Sequence, residues 1–230
     1  MTDGRPDIET VRAALAPHGL FLRGVVAFDG AADAPRLACG RPAASVALIG
    51  NIGGSMWPAF RQWRRGRADD GGENPLDDWS KTVIRPLAAR LDATAWFPSD
   101  PPWQPFQRWA MRAEGLRPSP LGILIHPVYG LWHGYRGALG FEDRLEAASE
   151  PAGPHPCEAC VEKPCLSTCP AGAVRAGGFD VAACRDHLRG VRGQADCMIA
   201  GCLARAACPV GADYRYGGDQ LRFHMAALSL

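Results

Sequence analysis

Eight of the nine cysteines in this 230-residue chain fall between Cys157 and Cys208, in two blocks that each close on Cys-Pro. The first reads Cys157-x2-Cys160-x4-Cys165-x3-Cys169-Pro170, and the second reads Cys184-x12-Cys197-x4-Cys202-x5-Cys208-Pro209. Three chemistries use thiols at this density. Disulfides need an oxidising compartment, whereas the chain opens on polar Thr2-Asp3-Gly4-Arg5-Pro6 and shows no secretory leader. Two structural zinc sites would also consume eight cysteines, usually as paired short spacings. The doubled Cys-Pro ending and the x12 gap after Cys184 fit zinc less well. Iron–sulfur ligation fits best, because thiolate is the soft, anionic ligand that such clusters take. The proline after each fourth cysteine fixes φ and stops the local turn from running on as helix. Cys39, alone far upstream, is expected to be a small buried residue and not a ligand.

Three closely spaced cysteines and a fourth before proline, repeated once, resemble the bacterial two-cluster ferredoxins with one or two spacings stretched. Three ligands on one tight loop wrap three corners of a cubane, and a short loop does not easily reach the fourth. In that family the Cys-Pro thiolate therefore crosses to the other cluster. The resemblance implies that Cys157, Cys160, Cys165 and Cys208 hold one [4Fe–4S] cluster, and that Cys169, Cys184, Cys197 and Cys202 hold a second.

The rest of the chain reads as a separate unit. All seven tryptophans lie between Trp57 and Trp132, and residues 147–156 are rich in proline and small side chains. The expected division is therefore an α/β domain over 1–146 and a cluster domain over 147–230. Asp7 can cap a helix whose Ile8, Val11 and Leu15 share a face, stopped near Pro17 and Gly19. Residues 21–28 and 44–49 read as buried strands. Asn74-Pro75 begins a helix with Asp77 and Asp78 in its first turn, and Pro86 is expected to kink or divide it. Residues 104–114 form a further expected helix, while 121–125 and 130–139 read as a strand pair around His126-Pro127. The sum is an α+β protein with a mixed sheet and helices on its faces. Gly50-Asn51-Ile52-Gly53-Gly54 matches no nucleotide fingerprint and is read as a tight strand–helix turn. Arg61, Arg64, Arg65 and Arg67, followed by Asp69 and Asp70, read as a solvated helix end.

With a net charge of +1 the chain has no global field drawing it to nucleic acid or anionic membrane. It contains no apolar run of membrane-spanning length. A cytoplasmic setting that keeps the thiols reduced is the expectation.

The segment Ile125-His126-Pro127-Val128-Tyr129-Gly130-Leu131-Trp132, continued by Tyr135-Arg136-Gly137, resembles the CblC-type cobalamin-processing proteins. Followed by eight cysteines, it is also similar to epoxyqueuosine reductase, a cobalamin-dependent tRNA-modifying enzyme. Together the likenesses span roughly residues 20–210. They imply a nitroreductase-like, CblC-like domain ahead of the ferredoxin-like one, with cobalamin as a cofactor contacted by His126, Tyr129, Gly130, Trp132 and Arg136. They also imply an oxidoreductase that passes single electrons from its clusters to a corrinoid, reducing cobalt toward Co(I), and that is charged by a low-potential electron donor. FMN is the alternative cofactor, since nitroreductase-like scaffolds commonly carry flavin. The catalytic acid of the reductases maps near Ser99-Asp100-Pro101-Pro102, leaving Asp100 as the candidate, one position out of register. The chain also lacks the reductases' helical-repeat tail, so tRNA is not an expected partner. An electron-transfer module that only docks a partner protein is the remaining reading.

Overall fold

The computed structural model describes residues 8–145 and 153–228. The elements run α1 (Ile8–Leu15), β1 (Phe21–Ala27), β2 (Ser45–Ile52), α2 (Trp57–Arg65), α3 (Pro75–Arg90), β3 (Thr94–Trp96), α4 (Phe106–Glu114), β4 (Arg117–Pro118), β5 (Leu124–Ile125) and β6 (His133–Phe141). After the undescribed stretch come α5 (Pro156–Ala159), α6 (Pro164–Thr168), β7 (Val174–Arg175), β8 (Gly178–Phe179), α7 (Val181–Arg189), α8 (Val191–Ala195), α9 (Cys197–Ala200), α10 (Leu203–Ala206) and α11 (Gly218–Ala226). The fold class is α+β. No helix among the described residues is long and apolar enough to cross a membrane.

Two compact units emerge, and the division is not a simple cut at the proline-rich stretch. Residues 8–115 and 134–145 form the first unit; residues 116–133 and 153–228 form the second. The His-Pro segment expected in the first domain thus belongs with the cysteines. Trp132 goes with it, so the first unit holds six of the seven tryptophans.

The first unit is built on a four-stranded sheet in the order β1-β2-β6-β3. β1 pairs antiparallel with β2, and β3 with β6. Ala44 N–H donates to Phe141 O while Gly50 lies against Gly134, so β2 and β6 also run antiparallel. The expected mixed sheet is therefore antiparallel, and the expected pairing of 121–125 with 130–139 does not form. β5 instead pairs with β4, and β6 enters the main sheet. A strand buried over its whole length needs apolar residues on both faces. β2 meets this condition, with Val46, Ala47, Leu48 and Ile49 fully enclosed.

Val11 and Leu15 bury the inner face of α1, as its period requires; its expected cap, Asp7, lies outside the described residues. Asn74 occupies the N-cap position of α3 without a side-chain capping bond, and Pro75 follows at the first helical position. Pro86 neither stops nor divides α3. A proline strips the partner from the carbonyl four residues earlier, but that carbonyl belongs to Thr82, which like Pro86 is exposed, so water can serve it. Gly140 lets β6 lie against an indole, since a Cβ there would stand 2.2 Å from Trp96.

The Gly50–Gly54 stretch is a strand–helix turn closed by Asn51 Nδ2 donating to Gly53 O at 2.9 Å. In the basic run, Arg64 pairs with Asp70 and Arg67 lies 4.7 Å over the Trp63 ring. Cys39 is exposed, with Sγ donating to Glu142 at 3.2 Å; the expected burial fails because the turn carrying it lies at the surface.

Candidate metal centre

Short helices punctuated by prolines present the eight thiols. α5 carries Cys157 and ends at Cys160, and α6 carries Cys165 and ends at Cys169. Both begin at a proline, Pro156 and Pro164, whose fixed φ suits the first helical position. Asp180 caps α7, accepting from Ala183 N at 3.0 Å, and so orients Cys184 in the first turn. Asp196 caps α9 directly at Cys197. Cys202 precedes α10, and Cys208 follows it.

The thiols gather as two sets of four. Burial, followed by the charges of Cys208, Cys165 and Cys160, pushes the Cys157 thiol up. Burial and then Cys208 and Cys160 do the same to Cys165, and burial with Cys160 raises Cys208. In the other set, burial and then Cys202 and Cys169 raise Cys184, and burial with Cys169 raises Cys202. Cys197, itself buried, is pushed up to about 12, mainly by burial, with Asp196 and Cys202 adding to it. Each fourth cysteine therefore acts on the opposite block: Cys208 on Cys157 and Cys165, and Cys169 on Cys184 and Cys202.

The surroundings suit an iron–sulfur group. A cavity of about 320 Å³ takes in Cys169, Cys184, Cys197 and Cys202 among apolar side chains such as Phe179, Leu188 and Leu203. An apolar floor of Leu121, Ile125, Leu131, Val174 and Ala204 packs against Cys157, Cys165, Cys169, Cys202 and Cys208. Backbone N–H groups of Cys165, Leu166 and Val210 serve the first set, and those of Leu203, Ala204 and Arg205 serve the second, each lowering the thiol it faces. Soft thiols in fours, amide donors and a largely apolar lining fit a cubane.

The His-Pro segment is built into this unit. Nδ1 of His126 accepts from Val128 N at 3.0 Å and Tyr129 N at 3.2 Å, and its ring stacks on Tyr129 at 4.1 Å. A nitrogen that accepts two N–H groups carries no proton, so in neutral imidazole the proton resides on Nε2. His126 thus caps the turn that carries Val128 and Tyr129. Gly130, at φ +57°, lies so close to the loop after Cys208 that a Cβ would stand 1.9 Å from Val210 O. Gly211 reciprocates at φ +72°, where a Cβ would stand 2.3 Å from Tyr129. The Trp132 ring is buried beneath the Arg205 guanidinium at 4.2 Å, with Tyr216 edge-on at 5.3 Å. Arg205 also donates to Leu131 O at 2.5 Å.

Tyr129 also meets Tyr214 edge-on, at 5.0 Å. Arg136 lies on β6 in the first unit, while His126, Tyr129, Gly130 and Trp132 lie in the second. Asp100 pairs with Lys81 at 2.7 Å and Arg85 at 3.5 Å. Lys81 above all holds its carboxyl below the usual range. A carboxylate ionised at neutral pH has no proton to give, so Asp100 is unsuited to general acid work.

Two arrangements have no signature in the sequence. In the first unit, Arg23 and Glu114 form a buried ion pair at 2.7 Å, and Tyr135 donates to the same carboxylate at 2.6 Å. In the second, His187 Nε2 lies 3.2 Å from Asp196 Oδ1, beside Cys197.

No family model and no curated protein matches the chain. Among solved structures, a B12-trafficking protein CblC from C. elegans matches at 14% identity and a TM-score of 0.48, covering 94% of this chain and 89% of the other.

Proposed function

We propose that this chain is a one-electron redox protein holding two [4Fe–4S] clusters and passing electrons to a corrinoid. The carrying observation is the crossing of the thiols. Cys169, from the first block, lines one cavity with Cys184, Cys197 and Cys202 of the second, and the charge of Cys208 acts on Cys157 and Cys165. A pair of independent zinc sites, one to each sequence block, gives no reason for that exchange. Bound cubanes would supply low-potential single-electron chemistry. The chain supplies eight thiolates, amide donors to sulfur and an apolar shell against water. A reducing, cytoplasmic setting belongs to the same proposal.

The corrinoid rests on the sequence resemblance over Ile125–Trp132 ahead of eight cysteines. The likeness to the B12-trafficking protein is too distant to add weight. A second reading, an electron-transfer module whose acceptor is a partner protein, is favoured by one observation: His126, Gly130 and Trp132 are all engaged in packing the second unit.

Anaerobic reconstitution of the full chain should yield about eight iron and eight acid-labile sulfide per chain. Bound zinc without sulfide would overturn the cluster reading. The loaded protein should bind hydroxocobalamin and shift its visible spectrum. Failure to bind at roughly tens of micromolar, about −6 kcal/mol, would leave the partner-protein reading. Yellow flavin released on denaturation would replace the corrinoid with FMN.

A further inference from the structure

The succession of short helices α7, α8 and α9 brings together three side chains of metal-ligating chemistry. His187 lies near the end of α7, while Asp196 and Cys197 open α9. Gly193 lets α8 fold hard against the end of α7, since a Cβ there would stand 2.0 Å from His187 O. Gln194 Nε2 donates to Leu188 O at 2.7 Å, and Asp196 N to Arg192 O at 3.0 Å, which fixes the fold-back. The ligand atoms of His187, Asp196 and Cys197 consequently lie within 4.8 Å of one another. Among the described residues no other three His, Cys, Asp or Glu side chains are held so closely, and no three of the clustered thiols are.

The spacing suits a single metal ion. His187 Nε2 and Asp196 Oδ1 stand 3.2 Å apart. Zinc bonds of about 2.0–2.1 Å to nitrogen and oxygen, at the tetrahedral angle, place those two atoms about 3.3 Å from each other. The ion can therefore replace the proton between them with almost no movement of either. A zinc–sulfur bond of about 2.3 Å sets the edges to sulfur at about 3.5 Å, and Cys197 Sγ is already within 4.8 Å of both partners. A mixed set of sulfur, nitrogen and oxygen selects zinc over calcium or magnesium, which take oxygen. Charge balances too. One thiolate, one carboxylate and a neutral imidazole neutralise a divalent cation, which suits a cavity lined by His187 and Cys197 among Leu188 and Leu203. Arg185 lines the same cavity but is exposed, so solvent screens it. Asp196, 32% exposed, leaves the ion a way in.

We propose that His187, Asp196 and Cys197 form a mononuclear zinc site, filled when the second thiol set carries no cluster. Three protein ligands leave the fourth corner of the tetrahedron to water. Binding takes the thiol proton from Cys197 and releases it to solvent. Cys197 is also one of the four thiols assigned to the second cluster, so zinc and that cluster exclude one another. The zinc site stands on the three side chains alone; only the exclusion rests on the cluster reading.

The test uses the reduced, metal-free full chain with isotope-labelled histidine ring nitrogens, followed by nuclear magnetic resonance as zinc alone is added. One ring nitrogen should become metal-bound, and His187→Gln should lose that signal. Asp196→Asn keeps an oxygen to accept from Cys197 N–H while removing the charge. It should weaken zinc at this site at least tenfold in competition with a chromophoric chelator. The chain loaded with its full complement of iron and sulfide should show no zinc response at His187. Zinc held by sulfur alone, with every ring nitrogen of the wild-type chain unchanged, would overturn the proposal even where a variant fails to fold. Unaltered zinc affinity in folded Asp196→Asn would overturn it as well, and a zinc response at His187 in the fully loaded chain would overturn the exclusion. A chain that takes up no iron and sulfide would overturn the cluster reading and leave the zinc result standing, so the two failures are told apart.

Discussion

Replacing Gly130 by alanine separates a backbone role from a cofactor role, because the chain supplies its own control. Gly130 and Gly172 have nearly the same backbone, at φ +57° and +60°. An added Cβ at Gly130 would stand 1.9 Å from Val210 O, whereas one at Gly172 would meet nothing within 4 Å. The left-handed conformation costs a non-glycine residue about 1–2 kcal/mol at either position. Overpacking adds about 1–3 kcal/mol, toward the upper end here because a backbone oxygen cannot rotate away as a side chain can. Gly172→Ala should therefore lose about 1–2 kcal/mol and Gly130→Ala about 3–5 kcal/mol. Relief at Gly130 would push the Val210 loop outward and take Cys208 with it, so Gly130→Ala should also lose iron from the first site. Urea unfolding followed by circular dichroism gives the stabilities, and iron analysis gives the occupancy. Equal losses in the two variants, with full iron in Gly130→Ala, would refute the close-approach reasoning.

Three further outcomes are expected. Cys165→Ser and Cys208→Ser should remove the same half of the iron and the same resonance signal, and Cys169→Ser and Cys197→Ser the other; a Cys208→Ser signal resembling that of Cys197→Ser would break the crossed assignment. In the reduced, metal-free protein, burial holds several thiols above their ordinary value of 9.0, with Cys197 pushed up to about 12. Their stabilising effect is complete below pH 9.0 and drains away as pH climbs through the folded values, so the denaturation midpoint of the apo chain should fall on the alkaline side, and a rise there would contradict the burial of the thiols. His126→Ala strips the acceptor from two backbone N–H groups and should destabilise by about 1–3 kcal/mol, whereas His126→Asn restores an acceptor and most of the stability; loss of corrinoid binding in the stable His126→Asn variant would return the residue to a cofactor role.

The parts of the molecule governed by local period were legible in the sequence. α1, β1, β2, α3 and α4 lie close to where their apolar spacing and turn residues put them, because each buries a face that its own sequence defines. The expected grouping of the thiols came from the resemblance to two-cluster ferredoxins and not from local period. What escaped was partnership over distance. Nothing in Leu121, Ile125 and Leu131 says whether an apolar run will floor a cysteine nest or line the tryptophan-rich unit, since burial satisfies it either way. Trp132 was counted with its sequence neighbours, although the Arg205 that covers it lies far along the chain. The Arg23–Glu114 pair was invisible for the same reason: a buried charge is recognised only by its partner.

Beneath the cysteines lie five apolar residues, and three of them, Leu121, Ile125 and Leu131, come from a segment that precedes the proline-rich stretch. The cysteine-rich half of this protein is therefore not a portable cassette. A graft beginning at residue 153 would carry all eight clustered cysteines and only Val174 and Ala204 of the floor they rest on. Transplanting it demands two pieces of chain, spliced at separate points of the host, and recombination at the conspicuous proline-rich junction would yield thiols without a foundation.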